Sequence, residues 1–108
     1  MKIIIAVAGD LGSHLAKLLS SESHDIYLLD LNEERLNTIS SQIDVFTIAG
    51  DAKSVEIMEQ KLISSCDLLI AVTCSEETNM LICILGKKLG AKRTIARIND
   101  VNIIKENK

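Results

Sequence analysis

The chain of 108 residues contains no proline, no repeat and no low-complexity tract, so nothing in it reads as a linker. Aromatic residues make up 2% of it, one tyrosine and one phenylalanine. Its core must therefore be aliphatic, and it has few stacking platforms for single-stranded nucleic acid. Long apolar runs are missing too. The run from Ile3 to Ala8 falls far short of the ~20 residues a membrane span needs. Lys2 followed by that run looks like the start of a secretory signal. However, the apolar stretch passes straight into a glycine turn, with no convincing small-residue cleavage site after it. The three cysteines, Cys66, Cys74 and Cys83, are odd in number and form no Cys-x-x-Cys, which indicates neither a disulfide framework nor a zinc site. They read as small buried hydrophobes, with Cys74 set apart by its place in a predicted ligand-facing loop. A formal net charge of −3 argues against a general binder of nucleic acid or of membrane surfaces. These features read as a cytoplasmic protein.

Hydrophobic residues account for 47% and charged residues for 25%, a globular composition sized for one domain with one ordinary core. Apolar runs alternate with amphipathic stretches. Residues 2–7 form a continuous β-branched run, as a central parallel strand should. Residues 10–22 place Leu11, Leu15, Leu18 and Leu19 on one helical face. A second strand is expected over 25–30. Asn32 can cap a helix over 33–42, with Glu33 and Glu34 where the dipole favours them. A third strand runs over 45–49, a short helix over 53–61 and a fourth strand over 67–72. Ser75 can cap a helix over 76–89 that closes on Lys87, Lys88 and Gly90, and a fifth strand spans 92–98. The last residues begin another helix. The alternation predicts an α/β fold: a Rossmann-like, doubly wound parallel sheet in three layers, as a single domain. Ligands of such sheets sit at the carboxyl ends of the strands, here 7–12, 30–35, 50–52, 73–79 and 97.

The first of these segments is the most informative. A buried strand runs into Val7-Ala8-Gly9-Asp10-Leu11-Gly12 and then a helix, the layout of a dinucleotide-binding turn. Gly9 lets backbone approach a pyrophosphate, Gly12 lets helix pack on strand, and Ala8 is small. Val7 stands where the first glycine of G-x-G-x-x-G belongs. Its β-branched side chain resists positive φ and adds bulk. Either the backbone stays extended and tolerates it, or the side chain crowds the nucleotide. Plain strand–helix packing is the alternative reading of the turn.

Asp30 ends the second strand, 18 residues after Gly12, with Leu31 next to it. A carboxylate there can accept both hydroxyls of a ribose and repels a 2′-phosphate, which favours NAD(H) over NADP. A turn or capping aspartate is the alternative. Arg35 suits a phosphate or an adenine face, or lies in solvent. Gly50, Asp51 and Ala52 can line an adenine, with Asp51 accepting from an exocyclic amine or capping the next helix. Thr73, Ser75, Glu76 and Asn79 can meet a phosphate or the second ribose, with Ser75 an N-cap in either case. Arg97 can reach a phosphate or lie on an edge strand. No Ser/His/Asp or Cys/His arrangement recommends itself, and His14 and His24 read as surface residues. No catalytic residue and no metal site is expected. The helix at 76–89 is apolar nearly all round from Met80 to Leu85, so its outer face is expected to meet another subunit.

Taken together, "MKIIIAVAGDLGSHLAKLL", "LLDLNEERL", "IAGDA" and "LLIAVTCSEETNMLICILGKKLGAKRTIARI" resemble the nucleotide-binding domain of Trk-type potassium-uptake regulators, called TrkA-N, RCK or KTN. The resemblance covers essentially the whole chain, 1–108. Its most specific part is the A-V-T…E-x-N-M block followed by I-A-R. It implies a ligand-gated regulator rather than an enzyme. Such domains bind NAD(H), the first expectation here, or ATP, ADP or AMP. They form homodimers or larger rings on a membrane potassium transporter or channel, peripheral to the inner face of the membrane, with no role for nucleic acid. By position, the resemblance puts Asp30 on the adenosine ribose and Gly9, Asp10, Leu11 and Gly12 around the pyrophosphate. Asp51 and Ala52 fall beside the adenine, Thr73 near the other half of the nucleotide and Arg97 near phosphate. Val7 departs from the family's glycine. The family's C-terminal ligand-binding domain is absent, which implies a truncated chain or a one-domain relative. Two other readings fit the sequence: the cofactor half of an NAD-dependent oxidoreductase, and a nucleotide-free structural relative.

Overall fold

The computed structural model describes residues 1–6, 9–60 and 63–98, apart from the side chains of Gln60 and Ser64. The expectations for Val7, Ala8 and a helix at the end of the chain lie outside those residues. Five strands and four helices alternate: β1 (Lys2–Ala6), α1 (Asp10–Ser20), β2 (Asp25–Asp30), α2 (Glu33–Ser40), β3 (Phe46–Ala49), α3 (Val55–Gln60), β4 (Leu68–Ala71), α4 (Glu76–Lys88) and β5 (Arg93–Ala96). Among the described residues one 3₁₀ turn, Ile63–Ser65, leads into β4, where the sequence pattern predicts none.

All strand pairs are parallel, in the order β3-β2-β1-β4-β5. The chain winds outward from β1 in one direction, then returns and winds outward in the other. The reversal falls between β1 and β4, which opens a crevice at their carboxyl ends. Central β1 pairs Ile5 with Leu28 on one side and with Ile70 on the other. A strand flanked on both sides and covered on both faces must be apolar at every position, hence Ile-Ile-Ile-Ala.

The pleat divides those side chains between two cores. Ile3 and Ile5 pack with Ala16 of α1 and with Leu36 and Ile39 of α2. Ile4 and Ala6 pack with Met58 of α3 and with Ile82 and Cys83 of α4. This makes the three layers. Each fully buried isoleucine or leucine contributes about 1.5–3 kcal/mol by leaving water.

Several elements are shorter than the apolar pattern suggests, and local hydrogen bonds give the reason. At the end of α1, Ser20 and Ser21 donate their hydroxyls to the carbonyls of Lys17 and Leu18, and the helix stops at Ser20 rather than residue 22. Before α3, the Asp51 carboxylate accepts from Lys53 N–H, and the Ser54 hydroxyl accepts from Ile57 N–H, so the helix starts at Val55 rather than residue 53. The expected caps of α2 and α4 are in place. Asn32 Oδ1 accepts from Arg35 N–H at 3.1 Å, and Ser75 Oγ accepts from Thr78 N–H at 3.2 Å. Gly90 closes α4 at φ 117°, with Ala91 N–H bonded to the Gly86 carbonyl and Gly90 N–H to that of Lys87.

The face of α1 differs from the leucine count. Gly12 and Ala16 are its buried residues, Leu15 and Leu19 pack at the margin, and Leu11 and Leu18 are exposed. Small side chains let the helix lie close to β1 and β2, which tips two of the four leucines outward. On α4, Ile82 and Cys83 are buried, while Met80, Leu81 and Ile84 are left on the surface.

Candidate functional site

The crevice at the β1/β4 switch is floored by the first turn of α1. Gly9 is the N-cap, in extended backbone at φ −71° and ψ −167°, and makes no side-chain capping bond. The Gly9 carbonyl accepts from Ser13 N–H at 2.8 Å, which starts the helix. The N–H groups of Asp10, Leu11 and Gly12 precede any carbonyl that could take them within the helix, and the dipole gives that end partial positive charge. A Cβ built on Gly9 would meet nothing within 4 Å. The turn therefore opens onto free space, the arrangement an anionic phosphate needs.

That space is a cavity of about 740 Å³. Gly9 to Ser13 contribute one wall, without Gly12, which is buried against the sheet. Arg35, Thr38 and Ile39 of α2 supply a second wall, and Val72 to Cys74 with Arg97 a third. A smaller cavity of about 280 Å³ lies on the other side of the strand ends, among Leu29 to Leu31, Gly50 to Lys53 and the start of α4. Thr73 lines both. Their combined shape suits a long ligand with two unlike ends.

Asp30 stands at the boundary. It is the last residue of β2 and is 5% exposed. Its Oδ1 accepts from Asn32 N–H at 2.9 Å, and its Oδ2 accepts from Arg35 Nη1 at 3.2 Å. Asp30 faces the smaller cavity and Arg35 the larger. Leu31 is 72% exposed beside them, an apolar side chain that gains by being covered.

Asn79 assembles the opposite wall. It is fully buried, at 0% exposure. Its Oδ1 accepts from Thr73 N–H at 2.8 Å and lies 2.6 Å from the Thr73 hydroxyl. Its Nδ2 donates to the carbonyls of Thr73 at 3.1 Å and of Arg97 at 2.9 Å. The side chain is spent inside the protein. It reaches the site through Thr73 and Arg97, which it fixes at the ends of β4 and β5. Thr73 Oγ1 also accepts from Ser75 N–H, so the loop leading into α4 is held on both sides. Among the described residues no buried side-chain nitrogen or oxygen lacks a partner.

Most of the residues singled out in the sequence thus meet on one edge of the sheet: Gly9, Asp10, Leu11, Asp30, Leu31, Arg35, Gly50, Asp51, Ala52, Thr73 and Arg97. Gly12 and Asn79 support that edge from beneath, and Ser75 caps α4. Of the alternatives for Asp51, capping falls to Ser54 instead, and the Asp51 carboxylate closes a turn at the smaller cavity. The sequence reading passed over Thr38 and Ile39 in the cavity wall. They follow Arg35 by three and four positions and so share its helix face. It also passed over the pairing of Arg35 with Asp30.

The cysteines divide as expected, with one exception in place. Cys66 and Cys83 are buried, and loss of water around them pushes both thiols up from their ordinary pKa. Cys74 is exposed and borders the larger cavity. Among the described residues no cluster of histidine, cysteine, aspartate and glutamate could hold a metal ion.

The model of the TrkA-N domain family matches residues 3–106. Over 101 residues the chain is 40% identical to a "Trk system potassium uptake protein TrkA homolog" of Pyrococcus abyssi, covering 93% of this chain and 44% of that protein. It spans between 22% and 46% of the lengths of the Trk relatives it matches. Among solved structures, the Kef C-terminal domain of Shewanella denitrificans in its AMP-bound form superposes with a TM-score of 0.71 at 25% identity, covering 88% of this chain and 57% of that one. A short-chain dehydrogenase/reductase from Vibrio parahaemolyticus superposes at 0.67 with 21% identity, over 82% of this chain and 54% of that one, and shares the fold alone.

Proposed function

The chain belongs to the TrkA-N domain family, and from that premise we propose that it is an adenine-nucleotide sensor controlling a potassium transporter or channel, not an enzyme. The observation that carries this reading is the open first turn of α1 on the larger cavity and Asp30 on the smaller one, two cavities that share Thr73. Such a pair suits the diphosphate and the ribose diol of one adenosine ligand. NAD(H) is the first candidate, with ATP, ADP and AMP as the others.

In this reading the adenine lies in the smaller cavity, between Leu31 and the Gly50–Ala52 turn. The Asp30 carboxylate accepts from the ribose hydroxyls. The first-turn N–H groups of α1 hold the phosphates, and Arg97 offers them a cation across the crevice. Thr73 borders the remainder of the ligand.

The ligand acts by drawing the loops after β1, β2, β4 and β5 together. Asn79 ties two of these loops to the buried side of α4, and Met80 follows it directly on the exposed side. Met80, Leu81 and Ile84 pass the change to a neighbouring copy, and the assembly passes it to a membrane partner at the cytoplasmic face. No described helix is long and apolar enough to cross a membrane. A ligand can shift such an assembly only by binding one arrangement better than another.

Calorimetry with NAD, NADH, ATP, ADP and AMP, on this chain and on Val7→Gly, tests the reading. At least one of the five is expected to bind the natural chain, and the glycine variant is expected to bind it more tightly. Binding to Val7→Gly alone would make the natural chain a nucleotide-free relative. Binding to neither would overturn the site.

A further inference from the structure

The walls of the two cavities are balanced in charge. Among the described residues they carry three acids, Asp10, Asp30 and Asp51, and three bases, Arg35, Lys53 and Arg97. A strongly anionic ligand therefore meets no excess of cations here. The three carboxylates are not alike. Asp30 accepts from Asn32 N–H and from Arg35, and Asp51 accepts from Lys53 N–H. Asp10 is the first residue of α1 and is exposed, and among the described residues its carboxylate has no hydrogen-bonding or ionic partner. It lines the larger cavity, in the same turn as the N–H groups open to a phosphate.

The helix terminus and this carboxylate oppose each other. The dipole places about half a positive charge at the end of α1, and the carboxylate sets a full negative charge beside it. At the turn itself, each further charge on the ligand thus meets more repulsion than attraction. A phosphate esterified on both sides carries a single charge, and the N–H hydrogen bonds can hold it. A terminal phosphate carries about two charges at neutral pH, so the carboxylate opposes it more strongly. We infer that Asp10 is a charge filter on the phosphate turn: it admits a diphosphate esterified at both ends, as in a dinucleotide, and turns away a nucleotide that ends in a free phosphate. The larger cavity fits the same ligand. Its volume of about 740 Å³ exceeds what a terminal phosphate fills, and Leu11, Ile39 and Val72 give it apolar surface for a second nucleoside to cover. This rests on the adenosine-binding reading above and narrows its candidates to NAD(H).

The test uses two probes that differ by one methyl group, ADP and the methyl ester of its β-phosphate. Both are titrated calorimetrically near pH 8 against the full chain, with EDTA present so that no divalent cation bridges phosphate and carboxylate. The natural chain is compared with Asp10→Asn and Asp10→Ser. The natural chain is expected to bind the ester roughly tenfold more tightly than ADP, the effect of one added charge close to a carboxylate. Both variants are expected to gain affinity for ADP, and the preference for the ester to shrink by roughly fivefold. Far-UV circular dichroism establishes that each variant is folded, and the serine variant stands in if the asparagine variant is not. A natural chain that binds ADP as tightly as the ester overturns this inference and leaves the adenosine site standing. A preference for the ester that persists unchanged in the folded variants does the same. Failure of the natural chain to bind either probe overturns the adenosine site and the inference together.

Discussion

The Asn79 amide donates to the Arg97 carbonyl at 2.9 Å, a bond that ties the first turn of α4 to the end of β5 across 18 residues of sequence. The same side chain satisfies Thr73 through both its N–H and its carbonyl. One buried asparagine therefore shapes the β4 and β5 side of the crevice.

Asn79→Ala would leave the Thr73 N–H and two carbonyls without their partner in a site closed to water. A buried polar group stripped of its partner costs about 1–3 kcal/mol. Partial rehydration lowers the sum, and a loss of roughly 2–4 kcal/mol is expected. In a domain of this size that lowers Tm by about 10–20 °C. Thermal unfolding followed by circular dichroism measures it, and a Tm within 3 °C of the natural chain, taken as roughly 0.5 kcal/mol, would show that the bonds carry little. Asn79→Asp should also destabilise, because a second acceptor would then face the Thr73 and Arg97 carbonyl oxygens.

The packing of α1 gives a paired prediction. Leu18 is 58% exposed and Ala16 is 0% exposed, although hydropathy alone ranks leucine as the core residue. Leu18→Gln should change stability by less than about 0.5 kcal/mol, as surface changes do. Ala16→Leu must force side chain into the contact between α1 and the sheet, at a cost of about 1–3 kcal/mol. Urea unfolding of the two variants would contradict this account if their order were reversed.

The thiols should separate in reactivity. Burial raises the pKa of Cys66 and Cys83, so at neutral pH both are protonated more completely than a free thiol and are shielded as well. An aromatic disulfide reagent at pH 7.5 should react rapidly with one equivalent, at Cys74, and with three only after denaturation. Because Cys74 borders the larger cavity, a bound dinucleotide should slow that single reaction. Two fast thiols in the folded chain, or equal rates with and without a ligand shown to bind, would contradict this placement.

At the opposite end of the sheet, the Asp67 carboxylate accepts from Lys2 N–H at 2.8 Å and lies 3.2 Å from Lys92 Nζ. The backbone bond, with help from Lys92, holds its carboxyl below the ordinary carboxylate range. A group with a lowered folded pKa adds stability that is present above its unfolded value and is lost as pH falls through the folded one. Stability should therefore decline below the usual aspartate value, and less steeply in Asp67→Asn. Acid titrations of the two chains that coincide below pH 4 would remove this contribution.

Much of the fold was legible because it follows from patterns of short range. The continuous apolar run of β1 identifies a central strand, and Asp30 and Ser75 occupy the boundaries where strand meets turn and turn meets helix. The residues that went unread depend on how helices dock. Whether Asn79 points into the crevice or into the body of the protein is decided by the rotation of α4. The pairing of Arg35 with Asp30 depends on the angle at which α2 meets β2. The inward face of α1 was misjudged because close packing selected Gly12 and Ala16, which a count of leucines ignores. The start of α3 was set by Asp51 and Ser54, whose side chains compete for nearby backbone N–H groups.

The central claim is that an adenine dinucleotide lies along the carboxyl edge of the sheet, from the α1 turn to Asp30. Backbone amide chemical shifts recorded by heteronuclear NMR during titration with NADH test it residue by residue. The account predicts that the largest shifts fall on Gly9 to Gly12, on Asp30 to Asn32, and on Thr73 and Arg97. Saturable shifts confined to other surfaces, or a spectrum unchanged at millimolar NADH and unchanged again with AMP, would contradict it.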